Sequence, residues 1–305
     1  MENTLSVLFD HDRTYISVVK PTPVGIALEQ IDSVAATINV ADVHENAGEA
    51  LQEFEEILKN NSFEIGSATA VFPTSAAAIH QFPASADASP NEIRELLEFE
   101  IRQQMPGYKT DDFETTVYPM AAQADGTEMM IAVSIENALV ELGKGIFAKS
   151  QITLSRTEVS QFAAHTAFLY NYPEHGQNTV MLVSVQEQFL EISVLKAGRL
   201  AYYNIASLPT AAQIGEVCER EMQNLLAEYV PAIDAVFLFG PALTKQMLES
   251  VQNSLTVEVA RLNSLRMMRS ALDERARQYS ARVAHVFPAC IGGALPSQLE
   301  VLTTA

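Results

Sequence analysis

Six histidines, two cysteines and 38 carboxylates are the side chains from which this 305-residue sequence could assemble a catalytic or metal site. The histidines, at positions 11, 44, 80, 165, 175 and 285, include no pair four residues apart. None stands beside a cysteine or an acid pair at ligand spacing, so zinc chemistry is not expected. Cys218 and Cys290 lie far apart in apolar or helical surroundings and read as buried free thiols. Acidic neighbours such as Glu55-Glu56 and Asp111-Asp112 follow from the abundance of acids and read as solvated faces. The sequence contains no G-x-S-x-G elbow, no G-x-x-x-x-G-K-[ST] loop and no G-x-G-x-x-G turn, which removes the common signatures of serine hydrolases, P-loop enzymes and dinucleotide binders. One basic stretch, Arg261 to Arg282, sets six arginines against Asp273 and Glu274. It reads either as a docking patch for an acidic partner or as a helix whose arginines pair with the acidic remainder of the chain.

The formal net charge of -19 opposes binding to a phosphate backbone and to an anionic membrane surface. Nucleic acid is not an expected partner, and membrane association would run through another protein. The opening MENTLSVLFD lacks the basic start of a secretory signal, and no run approaches the roughly 18 apolar residues of a spanning helix. A cytoplasmic location without membrane insertion is expected. With 48% apolar and 19% charged residues the composition is that of a globular protein, and the length suits two domains.

The elements that must position any site follow from apolar periodicity. Leu5 to Val19 shows two apolar runs around the polar tetrad Asp10 to Arg13, a hairpin signature, with a third run at Val24 to Ile31 and a helical pattern at Glu49 to Leu58. Ala68 to Phe72 and Ala76 to Phe82 read as a second hairpin. Ser89, Pro90 and Glu92 form a capping box, followed by the stripe Ile93, Leu96, Leu97, Ile101 and Met105 and a stop at Pro106-Gly107. Strands follow at Phe113 to Pro119 and Met129 to Ile135 around a turn at Asp125-Gly126. Then come a helix from Glu136 to Lys149, a strand at Gln151 to Leu154 and a helix from Val159 to Tyr170. YNYPEHGQN, from Tyr170 to Asn178, marks a boundary that divides the chain into lobes 1–175 and 176–305. Beyond it three strands recur at Val180 to Val185, Phe189 to Leu195 and Leu200 to Ile205, then a helix from Ile214 to Tyr229, a strand at Ala235 to Phe239, another helix, a short strand at Val257 to Ala260, and a closing helix from Ala281 to Leu295. Three strands and a helix thus occur twice, a weak internal symmetry.

Taken in order, the hairpin at Leu5 to Val19, ELLEFEIRQQMP (Glu95 to Pro106), VMLVSVQEQFLEISVLKAGRLAYYNI (Val180 to Ile205), AVFLFGPA (Ala235 to Ala242) and FPACIGGAL (Phe287 to Leu295) resemble the actin-like ATPase superfamily. Within it they resemble the PilM and GspL-type proteins of pilus and secretion machines. The resemblance implies an α/β fold of two ribonuclease H-like lobes with five-stranded sheets flanking a cleft, and a small α/β insertion at about 63–135. Active members grip ATP phosphates between two hairpin turns, each with an acid, one residue and then a glycine that lets backbone N–H groups approach phosphate. Here Asp10 keeps the first acid, but Asp12 takes the glycine position. Ser184 and Gln186 replace both residues of the second turn, and of the consecutive glycines on the adenosine side only Gly240 remains, followed by Pro241.

These departures point to a catalytically silent scaffold or adaptor that needs no cofactor or metal. By resemblance it would hold a segment of another protein, such as the cytoplasmic tail of a membrane-anchored assembly component, in a groove near Ile79, Phe82, Ile93, Leu97 and Ile101. An ATP-binding protein or slow ATPase with unorthodox loops, and a self-assembling structural protein, are the alternative readings.

Overall fold

The computed structural model describes residues 2–10, 12–35, 64–85, 88–104, 109–121, 128–297, 299 and 302–303. The helix expected at Glu49 to Leu58 and the turn at Asp125-Gly126 lie outside the described residues. Asn3–Phe9 (β1) and Thr14–Thr22 (β2) form the expected hairpin, with Thr4 opposite Val19 and Phe9 opposite Thr14, and Gly25–Val34 (β3) continues it antiparallel to β2. Ile65–Phe72 (β4) then runs parallel to β1. Ala68 to Phe72, apolar but for Thr69, is buried on both faces, as suits this central position.

The hairpin expected between Ala68 to Phe72 and Ala76 to Phe82 does not form. Pro73 and a short 3-10 turn at Thr74–Ala76 redirect the chain, and Ala77–Pro83 (β5) enters a different sheet. That sheet belongs to the insertion. Pro90–Gln104 (α1) covers it, and Phe113–Pro119 (β6) and Met129–Glu136 (β7) complete it, both β5 and β6 pairing antiparallel with β7. The insertion therefore begins after β4, later than residue 63. The start of α1 is pinned by the capping box: the Ser89 backbone N–H donates to the Glu92 carboxylate at 2.8 Å, and the Glu92 N–H to Ser89 Oγ at 3.4 Å.

Asn137–Lys149 (α2) leads back to Leu154–Val159 (β8), parallel to β4. The strand expected at Gln151 to Leu154 instead starts where that reading ended, because Gln151 sits at φ 58° in the turn that closes α2. Ser160–Asn171 (α3) follows. The second half repeats the plan. Thr179–Val185 (β9), Phe189–Lys196 (β10) and Arg199–Ser207 (β11) are an antiparallel meander, Ile214–Glu228 (α4) crosses over, Ala235–Phe239 (β12) lies parallel to β9, and Lys245–Ser254 (α5) leads to Glu258–Arg261 (β13).

The chain then returns to the first lobe. Arg269–Ser270 (β14) pairs with β3, so the first sheet has six strands, ordered β14-β3-β2-β1-β4-β8, against five in the second, β11-β10-β9-β12-β13. The closing helix expected at Ala281 to Leu295 is two helices, Glu274–Val283 (α6) and Pro288–Ala294 (α7), broken before Pro288, which has no N–H to continue a helix. Helix α7 crosses α3 and lies on β1, β2 and β4. The approach is so close that a Cβ on Gly292 would overlap the Ala163 carbonyl. A division at 175/176 thus misassigns the last stretch of the chain, whose β14 and α7 belong to the first sheet. Leu302–Thr303 (β15) finally joins the insertion sheet beside β6, giving β15-β6-β7-β5.

One apolar cluster runs from Leu5 and Phe72 in the first sheet through Phe162 and Phe168 of α3 to Leu182 and Phe237 of the second. The insertion is also fastened to the second lobe. The Ala121 N–H donates to the Leu200 carbonyl at 2.6 Å, and Gln81 Nε2 to the Tyr203 carbonyl at 3.0 Å, which covers part of the outer edge of β11.

Candidate functional site

Five sequence-derived positions converge where the two hairpin turns face each other. Asp10, at the end of β1, Ser184 and Gln186, at the end of β9, and Gly240, after β12, line one cleft together with Pro73, Ser160, Phe189 and Glu191. Asp12 joins its mouth beside Glu187, Gln188, Pro241 and Ala242. The floor encloses about 20 Å³, the scale of a single water, and the mouth opens to about 410 Å³.

Three backbone donors at the turns are already engaged. The Asp10 N–H closes its own hairpin on the Arg13 carbonyl at 3.0 Å, and the Gln186 N–H does the same on Phe189 at 3.0 Å. The Gly240 N–H donates to the His285 carbonyl at 2.8 Å, from the break between α6 and α7. Gly240 is required for a different reason: its φ is +112° and a Cβ there would stand 2.6 Å from the Val185 carbonyl oxygen. The Gln186 side chain turns back to donate to Ser184 Oγ at 3.1 Å.

Charge points the same way. Asp10 and Glu191 line the floor, Asp12 and Glu187 the mouth, and none of the described lining residues is Lys, Arg or His. Arg13, the cation of the first turn, reaches across the hairpin to Ser33. Burial pushes the Glu191 carboxyl up to about 7; a hydrogen bond from Thr74 at 3.1 Å acts against this and the nearby Asp10 charge adds to it. The fold class implies a magnesium–triphosphate between these turns, and the residues present do not fit one. Like charges about 4 Å apart cost on the order of 4 kcal/mol at intermediate dielectric, and none of the described lining residues is a Lys or Arg that would offset it. Among the described residues no group of three His, Cys, Asp or Glu is placed to hold a metal ion.

Behind the floor lies a polar layer that periodicity did not reveal. The His165 imidazole Nε2 and Ser193 Oγ are 2.6 Å apart, and Gln161 Nε2 donates to the same hydroxyl at 2.8 Å. All three residues are fully buried between α3 and β10, and burial holds the imidazole down to about 3, hence neutral. Ser193 has no route to solvent, so the Ser–His contact joins the lobes and offers no nucleophile. The signal in the sequence was Gln161 and His165 at i,i+4 within an otherwise apolar helix.

The proposed groove residues are elsewhere and inside. Phe82, Ile93, Leu97 and Ile101 are buried where α1 packs on the insertion sheet, and Ile79 is half-buried against the central cluster. Phe82, Ile93, Leu97 and Ile101 build the insertion core and leave no open groove lined by their side chains, while Ile79 packs toward the central cluster. On the outside of α1, Phe99 is 64% and Leu96 39% exposed, flanking a shallow depression with Glu92, Glu95, Ser85 and Ala88. The arginine stretch is largely spoken for: Arg266 pairs with Glu174, donates to the Asn171 carbonyl at 3.0 Å and lies over the Tyr172 ring, while Arg277 donates to the Leu272 carbonyl.

Two ribonuclease H-like halves around a cleft, with an insertion between the strands of the first, define the actin-like ATPase fold, and this chain has that fold. Among solved structures, a PilM–PilN type IV pilus biogenesis complex superposes with a TM-score of 0.74 at 12% identity, over 95% of this chain and 97% of that one. A Bacteroides thetaiotaomicron protein with actin-like ATPase fold and unknown function superposes at 0.53, also at 12% identity, over 91% of this chain and 96% of that one. No family model matches the sequence, and no curated protein matches it. Among the described residues no helix is long and apolar enough to cross a membrane.

Proposed function

We propose that this protein is a non-catalytic, cytoplasmic scaffold of the actin-like fold that binds a segment of a membrane-anchored assembly component. The observation that carries the proposal is the cleft: four acids line it, none of the described lining residues is Lys, Arg or His, and the N–H groups of Asp10, Gln186 and Gly240 are used in closing the fold. The likeness to a structure of PilM in complex with PilN supports the partner side of the reading. The exposed Leu96 and Phe99 on α1 supply an apolar surface whose acidic rim, Glu92 and Glu95, suits a basic segment.

Thermal unfolding with and without Mg-ATP tests the first half. The midpoint should not move, whereas a ligand at 100 times its Kd would add about 2.7 kcal/mol. Co-purification with the membrane fraction of its own cell tests the second. Phe99→Glu should lower capture at least tenfold without changing the thermal midpoint, and equal capture by both forms would remove α1 from the proposal.

A further inference from the structure

The cleft between the hairpin turns does not fit a triphosphate and yet keeps the build of a ligand site. It has two tiers. The floor takes one water-sized group in about 20 Å³, and the mouth opens to about 410 Å³, within the roughly 300–1,000 Å³ of small-molecule sites. Asp10, Gln186, Phe189 and Pro241 line both tiers and so connect them.

On the floor, Glu191 is fixed in place with half of its carboxylate unused. The residue is 2% exposed, and its Oε2 accepts from Thr74 Oγ1 at 3.1 Å. Thr74 Oγ1 is itself held by the Gln161 N–H at 3.2 Å and by Ser160 Oγ at 2.9 Å. Among the described residues Glu191 Oε1 has no hydrogen-bond partner. A buried acceptor without a donor is destabilising, and the buried Asp10 sets a second carboxylate on the same floor. Ser184, opposite Glu191 in the β9–β10 register, adds a hydroxyl oxygen. This floor suits a compact cation rich in donors. An ammonium group has about the size of a water and carries three donors, whereas magnesium brings several waters with it.

At the mouth a second pair of acids, Asp12 and Glu187, is exposed. The surface common to the two tiers includes Phe189 and Pro241, which offer an aliphatic chain a place to lie. Acid, apolar surface and acid together are the complement of a chain with an ammonium at each end. The net charge of -19 draws such a dication in from a distance. We propose that the cleft is a binding site for an aliphatic diamine or polyamine, with one ammonium on the floor against Asp10 and Glu191 and another at the mouth with Asp12 and Glu187. The site stands apart from the α1 surface, so this proposal and the scaffold reading fail separately.

Binding on the floor is linked to a proton. Burial holds the Glu191 carboxyl up to about 7, and the Asp10 charge adds to this. Among the described residues the titratable groups that face it are Asp10, from the end of β1, and Tyr203, from β11; β9 and α3 present Ser184 and Ser160, and Phe239 comes from β12. A cation beside Glu191 favours its ionised form, so at pH 7 binding should release part of a proton.

The test is titration calorimetry of the full chain at physiological salt with 1,4-diaminobutane and n-butylamine, in two buffers of different ionisation heat. The diamine should bind about tenfold more tightly than the monoamine, about fivefold from the mouth acids and about twofold because either end can enter. Asp12→Asn combined with Glu187→Gln should reduce that ratio to about two and leave the ligand-free thermal midpoint unchanged. Glu191→Gln should weaken both amines about tenfold or more and abolish the proton release. Should Glu191→Gln lower the midpoint, the mouth variant, altered only at exposed residues, decides alone. Absence of binding, or a diamine preference that survives the loss of both mouth acids, would overturn the proposal. So would tighter binding of a capped lysine peptide than of the diamine, which would assign the floor to a side chain of a protein.

Discussion

The interlobe cleft and the outer face of α1 are both open to solvent, and they present opposite chemistry. The cleft is acidic, the N–H groups of Asp10, Gln186 and Gly240 are used internally, and its floor has room for about one water. The α1 face is apolar at Leu96 and Phe99, with Glu92 and Glu95 beside them. On the function proposed above, the facing turns would serve as structural corners and partner binding would fall to the outside of the insertion rather than between the lobes.

Substitutions can break or sharpen that contrast. The largest expected effect is at Leu97, one turn position from the exposed pair but fully buried: Leu97→Ala should cost about 3 kcal/mol in a denaturant titration, because it opens a cavity under α1. Gly240→Ala should cost about 2 kcal/mol, from the positive φ and the Val185 carbonyl in the way of a Cβ. A neutral result there would mean that the turn can relax, and with it the cleft.

Glu191 gives a pH test. Its carboxyl is held up to about 7 by burial, so between the ordinary value of 4.5 and 7 the folded state binds a proton that the unfolded chain releases. That contribution is full below about 4.5 and is lost as pH rises through 7. His165, held down to about 3, acts in the opposite sense, its neutrality becoming costly as pH falls below 6.5. Glu191→Gln should therefore remove its share of the decline of stability between about pH 4.5 and 7, leaving the share due to Glu158, which burial also pushes up to about 7. A decline as steep in the variant as in the parent would acquit Glu191. The smallest effect is expected at Phe99, where replacement by Ala should change stability by less than about 0.5 kcal/mol and still weaken partner capture.

Much of the architecture was legible because it is periodic. The hairpins β1-β2 and β9-β10, the capping box of α1 and the amphipathic α4 all stand where alternation or helical spacing places them. What failed was non-local. Ala68 to Phe72 and Ala76 to Phe82 are adjacent apolar runs, and nothing in either says that the first pairs with β1 while the second pairs with β7. The return of β14 and α7 to the first lobe depends on close contact at Gly292, which a sequence shows only as small residues. At the site, Asp10, Ser184, Gln186 and Gly240 were brought together by the resemblance to the family's gripping turns and not by their own spacing, and the four line one cleft. Of the stripe Ile93, Leu96, Leu97, Ile101 and Met105, Ile93, Leu97 and Ile101 pack in the insertion core, Leu96 is exposed and Met105 lies outside the described residues; the spacing that marked the packing face also took in a residue of the open one and passed over Phe99.

The joints between Ala121 and Leu200 and between Gln81 and Tyr203 tie the insertion to the far lobe on one flank, and β14 beside β3 ties the far half of the chain to the near sheet on the other. Both ties would have to break or bend for the cleft to widen, so strain put on the middle of the molecule is shared by its two flanks.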